Sequence, residues 1–259
     1  MPKLTVRYPL FAAACASLIA TTGLAMASAP AHAQEATAPA SKGFTLSLKK
    51  GEVLQLIAPE TQPEGREARQ NYYRTVFPIA EALGYQREGQ LNVRQKVRSD
   101  YDPGAFLFFS WPSAASVQSF RDNPQFNAFK TLRREAWSEL KIYDTQVTQD
   151  LDLTFDPAKH YTVLVAWLDD ETRADYTRYL EGIEPAVTRA GGRFIYKIYD
   201  PTMQTLGEES KAPGQITFVE WETTDGFAKV QQSSEYRAHQ KYFGSSVQKF
   251  EFYWLKTPA

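Results

Sequence analysis

Pro103, Gly104 and Trp111 bracket an apolar run that is written again between Pro213, Gly214 and Trp221, with all three special residues recurring at one constant offset. The same offset pairs Phe120 with Val230, Phe126 with Tyr236, Leu132 with Tyr242, Leu140 with Phe250, Ile142 with Phe252 and Tyr143 with Tyr253. Upstream a slightly shorter offset matches Tyr72 to Tyr179, Pro78 to Pro185 and Gly84 to Gly191. The copies therefore differ by three residues between Gly84 and Pro103, where a loop or hairpin absorbs the change. A repeat of this kind constrains the fold before any element is assigned, because each copy must be one supersecondary unit.

Each copy reads as strand, helix, strand, strand, helix, strand. In the first, Glu52 to Ala58 is a short apolar run, and Tyr73, Phe77, Ala80 and Leu83 give helical spacing from Arg66 to Leu83, stopped by Gly84. Leu91 to Val97 alternates as a strand, Ser99 to Gly104 is turn chemistry, and Ala105 to Trp111 is a near-continuous apolar strand. A helix from Ala114 is interrupted at Asn123-Pro124 and resumes from Gln125 to about Ser138, since proline removes a donor and clashes with the preceding turn. Glu139 to Val147 closes the unit. The second copy repeats the order through Tyr161–Leu168, Asp175–Ala190, Arg193–Tyr199, Gln215–Trp221, Asp225–Gly244 and Gln248–Leu255.

That order predicts an α+β protein of two tandem ferredoxin-like βαββαβ modules, residues 51–147 and 159–256, joined by a linker over 148–158. Phe106 to Phe109 and Ile216 to Val219 place apolar groups on both sides of their strands, so the sheet face away from the helices needs cover as well. The economical solution packs the two four-stranded antiparallel sheets face to face, an intrachain pseudo-dimeric α/β barrel.

The N-terminus reads as a secretory signal. Lys3 and Arg7 precede an apolar, small-residue stretch from Leu10 to Ala27, and Ala31-His32-Ala33 precedes Gln34. Basic, apolar and A-x-A segments in that order predict cleavage after Ala33. Ser17, Thr21, Thr22 and Gly23 dilute the apolar stretch, and no basic stop-transfer flank follows, so no membrane anchor is expected after cleavage. Ala13-Ala14 before Cys15 suggests a lipoprotein cut, but too few apolar residues lie upstream of it. Residues 34–50 are expected to be a flexible tether, with no apolar period from Gln34 to about Gly43. The expected location is periplasmic or secreted.

Cys15 is the single cysteine of the 259 residues and leaves with the signal, which excludes disulfides, thiolate nucleophiles and cysteine-ligated metals. Without Lys3 and Arg7 the 29 basic residues drop further below the 30 acidic ones, to 27, so there is no basic excess to hold nucleic acid or an anionic membrane surface. The mature histidines are only His160 and His239, too few for a multi-histidine metal site. Asp169-Asp170-Glu171 lacks calcium-loop spacing and reads as a helix cap. No phosphate loop, nucleophile elbow or H-E-x-x-H motif occurs.

Gly191-Gly192-Arg193-Phe194, the strand end Val219-Glu220-Trp221, and Ser234-Glu235-Tyr236 at the start of the last helix resemble the bacterial DUF1330 family of the dimeric α/β-barrel superfamily. The first copy echoes it in Ser110-Trp111-Pro112-Ser113 and in the stretch from Phe120 to Phe126. The likeness covers about residues 50–256. It implies a fused version of a fold that usually pairs two chains, and a bacterial host of Gram-negative type. Relatives by fold include cofactor-free monooxygenases, isomerases and haem enzymes, so the resemblance alone selects no activity.

The copies are most informative where they differ. Glu220 replaces Ser110 and His239 replaces Phe129, so only the second copy offers an ionisable pair that could act as acid and base. Solvated polar positions are the plainer explanation of both. Trp111, Trp221, Tyr196 and Tyr236 are candidates for lining an apolar ligand cavity, with Arg193 available to an anionic group, though aromatic residues on such strands also simply pack cores. His239 is the one residue placed to be a haem axial ligand; with no second feature for haem, no cofactor is expected. The expected function is binding of a small, mostly apolar molecule in the barrel cleft. The alternatives are a cofactor-independent acid-base or oxygenase-type enzyme using Glu220 and His239, and a non-catalytic partner-binding scaffold.

Overall fold

In the computed structural model, which describes residues 42–259, the chain begins with β1 (Phe44–Leu48) and β2 (Val53–Thr61). It continues through α1 (Arg66–Glu81), β3 (Gln86–Arg98), β4 (Ala105–Trp111), α2 (Ala114–Arg121), α3 (Phe126–Ala136) and β5 (Trp137–Gln146). A short strand β6 (Leu151–Phe155) leads to β7 (His160–Leu168), α4 (Arg173–Arg189), β8 (Gly192–Tyr199), β9 (Thr202–Thr205) and β10 (Glu208–Glu209). β11 (Gln215–Trp221), α5 (Gly226–Gln231), α6 (Ser234–Ser246) and β12 (Val247–Lys256) complete it. The signal segment and its cleavage site lie outside the described residues. Among the described residues no helix is long and apolar enough to cross a membrane.

The helix boundaries follow local chemistry. Gly84 and Gly191, matched in the repeat, sit just past α1 and α4 at φ +87° and +75°, a conformation that costs a residue with a Cβ. Ser113 caps α2 by accepting from the Ser116 amide, and Ser233 caps α6 by accepting from the Tyr236 amide. The break expected at Asn123-Pro124 separates α2 from α3.

The fold is mixed α/β with antiparallel pairing throughout. The strand order is β10-β9-β5-β2-β4-β3-β12-β7-β11-β8, one ten-stranded sheet. Within it, β5-β2-β4-β3 and β12-β7-β11-β8 repeat the same order of fourth, first, third and second strand. Two separate four-stranded sheets were expected, and the joint between them is β3. Its first part, Gln86 to Asn92, pairs with β4, and its second part, Asn92 to Arg98, pairs with β12. The second half makes the matching crossing in two pieces: β8 pairs with β11, the chain turns at Asp200, and β9 pairs with β5. The two ends of the sheet are not hydrogen-bonded to each other, so the barrel is not closed.

The concave face of this sheet holds one core to which both halves contribute, including Leu54, Leu56, Phe106 and Phe108 from the first and Val163, Val165, Ile216 and Phe218 from the second. Phe108 and Phe218, matched positions in the repeat, have ring centroids 5.6 Å apart. Two further cores lie between sheet and helices, one per half.

Part of the expected tether and part of the expected linker are not mobile chain. β1 and β6 pair antiparallel as a two-stranded ribbon, Leu46 opposite Leu153 and Phe44 opposite Phe155. Both strands alternate exposed and buried residues, which puts Leu46, Leu48, Leu153 and Phe155 into the shared core while Thr45 and Thr154 hydrogen-bond to each other outside. Phe44 stacks on Phe155 at 4.6 Å. The alternation in each strand is short enough to be missed beside stretches rich in polar residues.

Candidate functional site

The strands of the first half present two rows of side chains. On β2, Leu54, Leu56 and Ala58 face the shared core, while Val53 and Ile57 face the helices. Period-two alternation puts Gln55 in the helix-facing row, and on β5 it puts Asp144 in line with Leu140 and Ile142. A polar residue in each apolar row is the unusual feature, because buried polar groups are tolerated only with partners.

Gln55, Leu140 and Ile142 border a cavity of about 60 Å³ between the sheet and helices α1, α2 and α3. Aromatic rings line it: Tyr72 and Phe77 on α1, Phe109 and Trp111 on β4, Phe120 on α2, and Trp137 at the start of β5. Tyr85 stacks on Phe109 with centroids 4.8 Å apart and leans on Trp111 at 4.4 Å.

A hydrogen-bonded chain runs along its floor. The Tyr85 hydroxyl donates to Gln55 Oε1 at 2.8 Å, Gln55 Nε2 donates to Asp144 Oδ1 at 2.7 Å, and Arg121 Nη2 donates to Asp144 Oδ2 at 2.7 Å. Arg133, 5 % exposed, donates from Nε to the Tyr72 hydroxyl at 2.9 Å. Its Nη1 and the indole Nε1 of Trp111 are buried with no acceptor. Native structures leave few such groups unsatisfied, so two on one cavity call for an explanation.

Burial pushes the Tyr85 hydroxyl well above its ordinary value. Burial also raises the Asp144 carboxyl, against the opposing pull of Gln55, Arg121 and Arg133. A carboxyl raised in the fold holds its proton longer there than in the unfolded chain, so its contribution to stability falls as pH rises from the ordinary aspartate value of about 3.9 upward through the folded value. Asp144→Asn removes that titration. The stability of wild type relative to Asp144→Asn is expected to decline across this interval and then level off, as read from urea midpoints between about pH 3.5 and 7.

The second half has the same frame without this chemistry. Thr162 stands where the first half has Gln55, Gly192 replaces Tyr85, Phe243 replaces Arg133, and Trp254 replaces Asp144. Trp221, the match of Trp111, has its indole satisfied by Thr162 Oγ1 at 2.9 Å.

The sequence candidates are scattered. Glu220 accepts from Arg193 Nη2 at 3.0 Å and from the Tyr161 hydroxyl at 3.4 Å, on the side of the shared core to which Tyr161 belongs. His239 is on the helix side, its Nδ1 2.8 Å from the Glu235 carbonyl oxygen. Its ring lies flat against α4, where a Cβ at Gly182 would collide with it. The structure therefore sets Glu220 and His239 on opposite faces of the sheet. Held in this way, His239 is no axial ligand facing a cavity, and the residues present do not fit haem there. Arg193 is exposed, Tyr196 packs at the edge of the shared core, and Trp221 and Tyr236 belong to the second helix-side core. Of the candidates, Trp111 alone lines the aromatic cavity. The sequence reading missed Gln55, Tyr72, Tyr85, Arg133 and Asp144; the signal for Gln55 and Asp144 is a polar residue inside a helix-facing apolar row, whereas Tyr72, Tyr85 and Arg133 lie off the strands and carry no such mark.

A second, wider cavity of about 790 Å³ opens at one end of the shared core, lined in part by Tyr101, Lys141, Trp167 and Glu251. Lys141 Nζ meets Glu251 Oε1 at 2.6 Å and lies 4.0 Å from the centre of the Tyr101 ring. Among the described residues no cluster of three or more histidine, cysteine or acidic groups is placed to hold a metal ion.

No family model matches the chain, and no curated protein matches it by sequence. Among solved structures, an anthrone oxidase-like protein is 12 % identical with a TM-score of 0.50, over 83 % of this chain and 94 % of its own. A mutant chlorite dismutase from Candidatus Nitrospira defluvii is 12 % identical with a TM-score of 0.45, over 81 % of this chain and 93 % of its own. A protein of unknown function from Rhodopseudomonas palustris is 18 % identical with a TM-score of 0.30, over 42 % of this chain and 84 % of its own. At 12 % identity the likeness to the anthrone oxidase-like protein is one of fold alone.

Proposed function

We propose that this is an exported binding protein that holds a small, largely apolar molecule in the aromatic cavity of its first half. The observation that carries the reading is a cavity walled by aromatic rings and bordered by Gln55 and Arg133, polar side chains set among them. The barrel interior, where the sequence suggested a ligand, is occupied by Phe108, Phe218 and the β1–β6 ribbon. The wider cavity at its end is bordered by Glu60, Asp100, Glu139, Lys141, Lys211 and Lys249, a charged lining that suits an apolar molecule poorly.

Turnover by Glu220 and His239 is not part of this reading, since their side chains are engaged on opposite faces of the sheet. Export is supported by the order of Lys3, Arg7, the apolar stretch and Ala31-His32-Ala33. The chain is best understood as a tandem duplication, a fused pseudo-dimer. The repeated strand order and the constant offsets between matched residues support this, and the motifs around Gly191, Trp221 and Tyr236 suggest a DUF1330-like ancestor.

Native mass spectrometry of the protein from a periplasmic fraction tests both parts. The expected mass is that of the chain from Gln34 plus a small-molecule increment. Ala80, 2 % exposed, lines the cavity, and Ala80→Phe is expected to abolish the increment while the chain remains folded. A bare wild-type chain, or an increment that survives in Ala80→Phe, rejects the cavity as the binding site; a chain that retains residues 1–33 rejects the cleavage.

A further inference from the structure

We propose that the wide cavity at the end of the shared core is a second binding site, one for a small zwitterion. The ammonium of such a molecule goes to Glu60 and Glu139, and its carboxylate goes to Lys249 and Lys211. Glu60 on β2 stands directly opposite Glu139 on β5, and both border the cavity. Like charges facing each other on neighbouring strands are destabilising. Glu60 accepts from the Asp102 amide at 2.8 Å and Glu139 from the Leu140 amide at 3.2 Å, neutral donors that leave both charges uncompensated. Among the described residues no cation lies within ion-pair distance of either, since Lys141 and Lys249 are turned to Glu251. Asp100, from the turn before β4, brings a further acid to the same cavity. These acids are not grouped to hold a metal ion, and an organic ammonium suits them.

The second half answers with the opposite sign at matched positions. Lys249 stands where the first half has Glu139, and Trp167, opposite Lys249 on β7, stands where it has Glu60. Lys249 Nζ lies 4.8 Å from the centre of the Trp167 ring and 3.7 Å from Glu251 Oε1, an oxygen that Lys141 already holds at 2.6 Å. Lys211 Nζ donates to the neutral Gln248 Oε1 at 3.1 Å. Both ammonium groups therefore have charge to spare for an anion.

Identical halves would have lined this seam with matching charges. Here the first half supplies unpaired acids and the second half supplies spare amines. A molecule carrying both charges satisfies both sets, whereas a singly charged one leaves the other set as it was. Tyr101, Trp167 and Met203, each 6 % exposed, also line the space and offer contact to a short apolar chain. A volume of about 790 Å³ accommodates a molecule of this kind.

Isothermal titration of the mature protein with ε-aminocaproate, γ-aminobutyrate, caproate and hexylamine tests the site. The better bound of the two amino acids is expected to bind at least about tenfold tighter than caproate or hexylamine, the scale of a hydrogen bond to a charged group. Lys249→Met is expected to weaken the amino acid and caproate while sparing hexylamine. Glu139→Gln is expected to weaken the amino acid and hexylamine while sparing caproate; should one variant fail to fold, the other carries the test. Ala80→Phe, which fills the aromatic cavity, is expected to leave all of this binding unchanged. The proposal is overturned if neither amino acid binds, if neither binds tighter than the better singly charged compound, or if affinity is unchanged in the variants that fold. None of these results touches the reading of the aromatic cavity. Loss of amino-acid binding in Ala80→Phe places that molecule in the aromatic cavity instead and overturns the second site.

Discussion

Lys141→Met is expected to lower the unfolding free energy by about 3–5 kcal/mol, the cost of leaving a buried charge without its partner. Glu251 is 1 % exposed and Lys141 7 % exposed, with 2.6 Å between the charged atoms. Lys249, the other cation near Glu251, stands at 3.7 Å and is more than half exposed, so it replaces Lys141 poorly. The double variant Lys141→Met, Glu251→Leu is expected to return close to wild type or exceed it, since an apolar pair of similar volume avoids the desolvation that both ions suffer. Denaturant unfolding of the two single variants and the double variant measures the coupling directly. Single-variant costs below about 1 kcal/mol, as found for exposed pairs, would show that this pair is open to water.

Lys141 and Glu251 are matched positions in the repeat, and they meet across the shared core as Phe108 and Phe218 do. Identical copies would place like charges together there. Divergence of the two halves at this one position turns repulsion into complementarity, which favours pairing of a first half with a second half over either with itself.

Leu46→Ala carries the next largest effect, a loss of about 2–5 kcal/mol for truncating a buried leucine. Leu46 is fully buried in the shared core although it lies only a few positions into the described residues. Thr45→Ala, one residue earlier and pointing outward, is expected to change stability by less than about 0.5 kcal/mol. Thermal or urea unfolding of the two variants separates a packed ribbon from a mobile tether, because a tether predicts no difference between them.

Residues that repeat were legible in sequence because the constraint is local. Gly84 and Gly191 stop helices through their own backbone geometry, and the alternating apolar strands need only a neighbour on each face. The order of strands and helices in each half followed from such signals. The ribbon was harder to see, since a short alternating stretch becomes a strand only when its partner, remote in the chain, lies beside it. The site was harder still. Glu220 and His239 look like partners when only residue types and copy differences are compared, yet the side of the sheet each faces separates them. Gln55, Tyr85 and Asp144 are ordinary one by one, and their chain of hydrogen bonds exists only where β2, β5 and the segment between α1 and β3 converge under the helices.

By itself, then, the sequence determined a mixed α/β chain whose two halves run through the same order of strands and helices, with its one cysteine at Cys15, because periodicity, proline and glycine act over a turn or a strand. Only the tertiary structure decided that one long strand would join the halves into a single sheet, that a ribbon would pack into the shared core, and that Arg133 would be buried against Tyr72. Those outcomes depend on distances between residues remote in the chain, and on which groups water can still reach once the cores have closed.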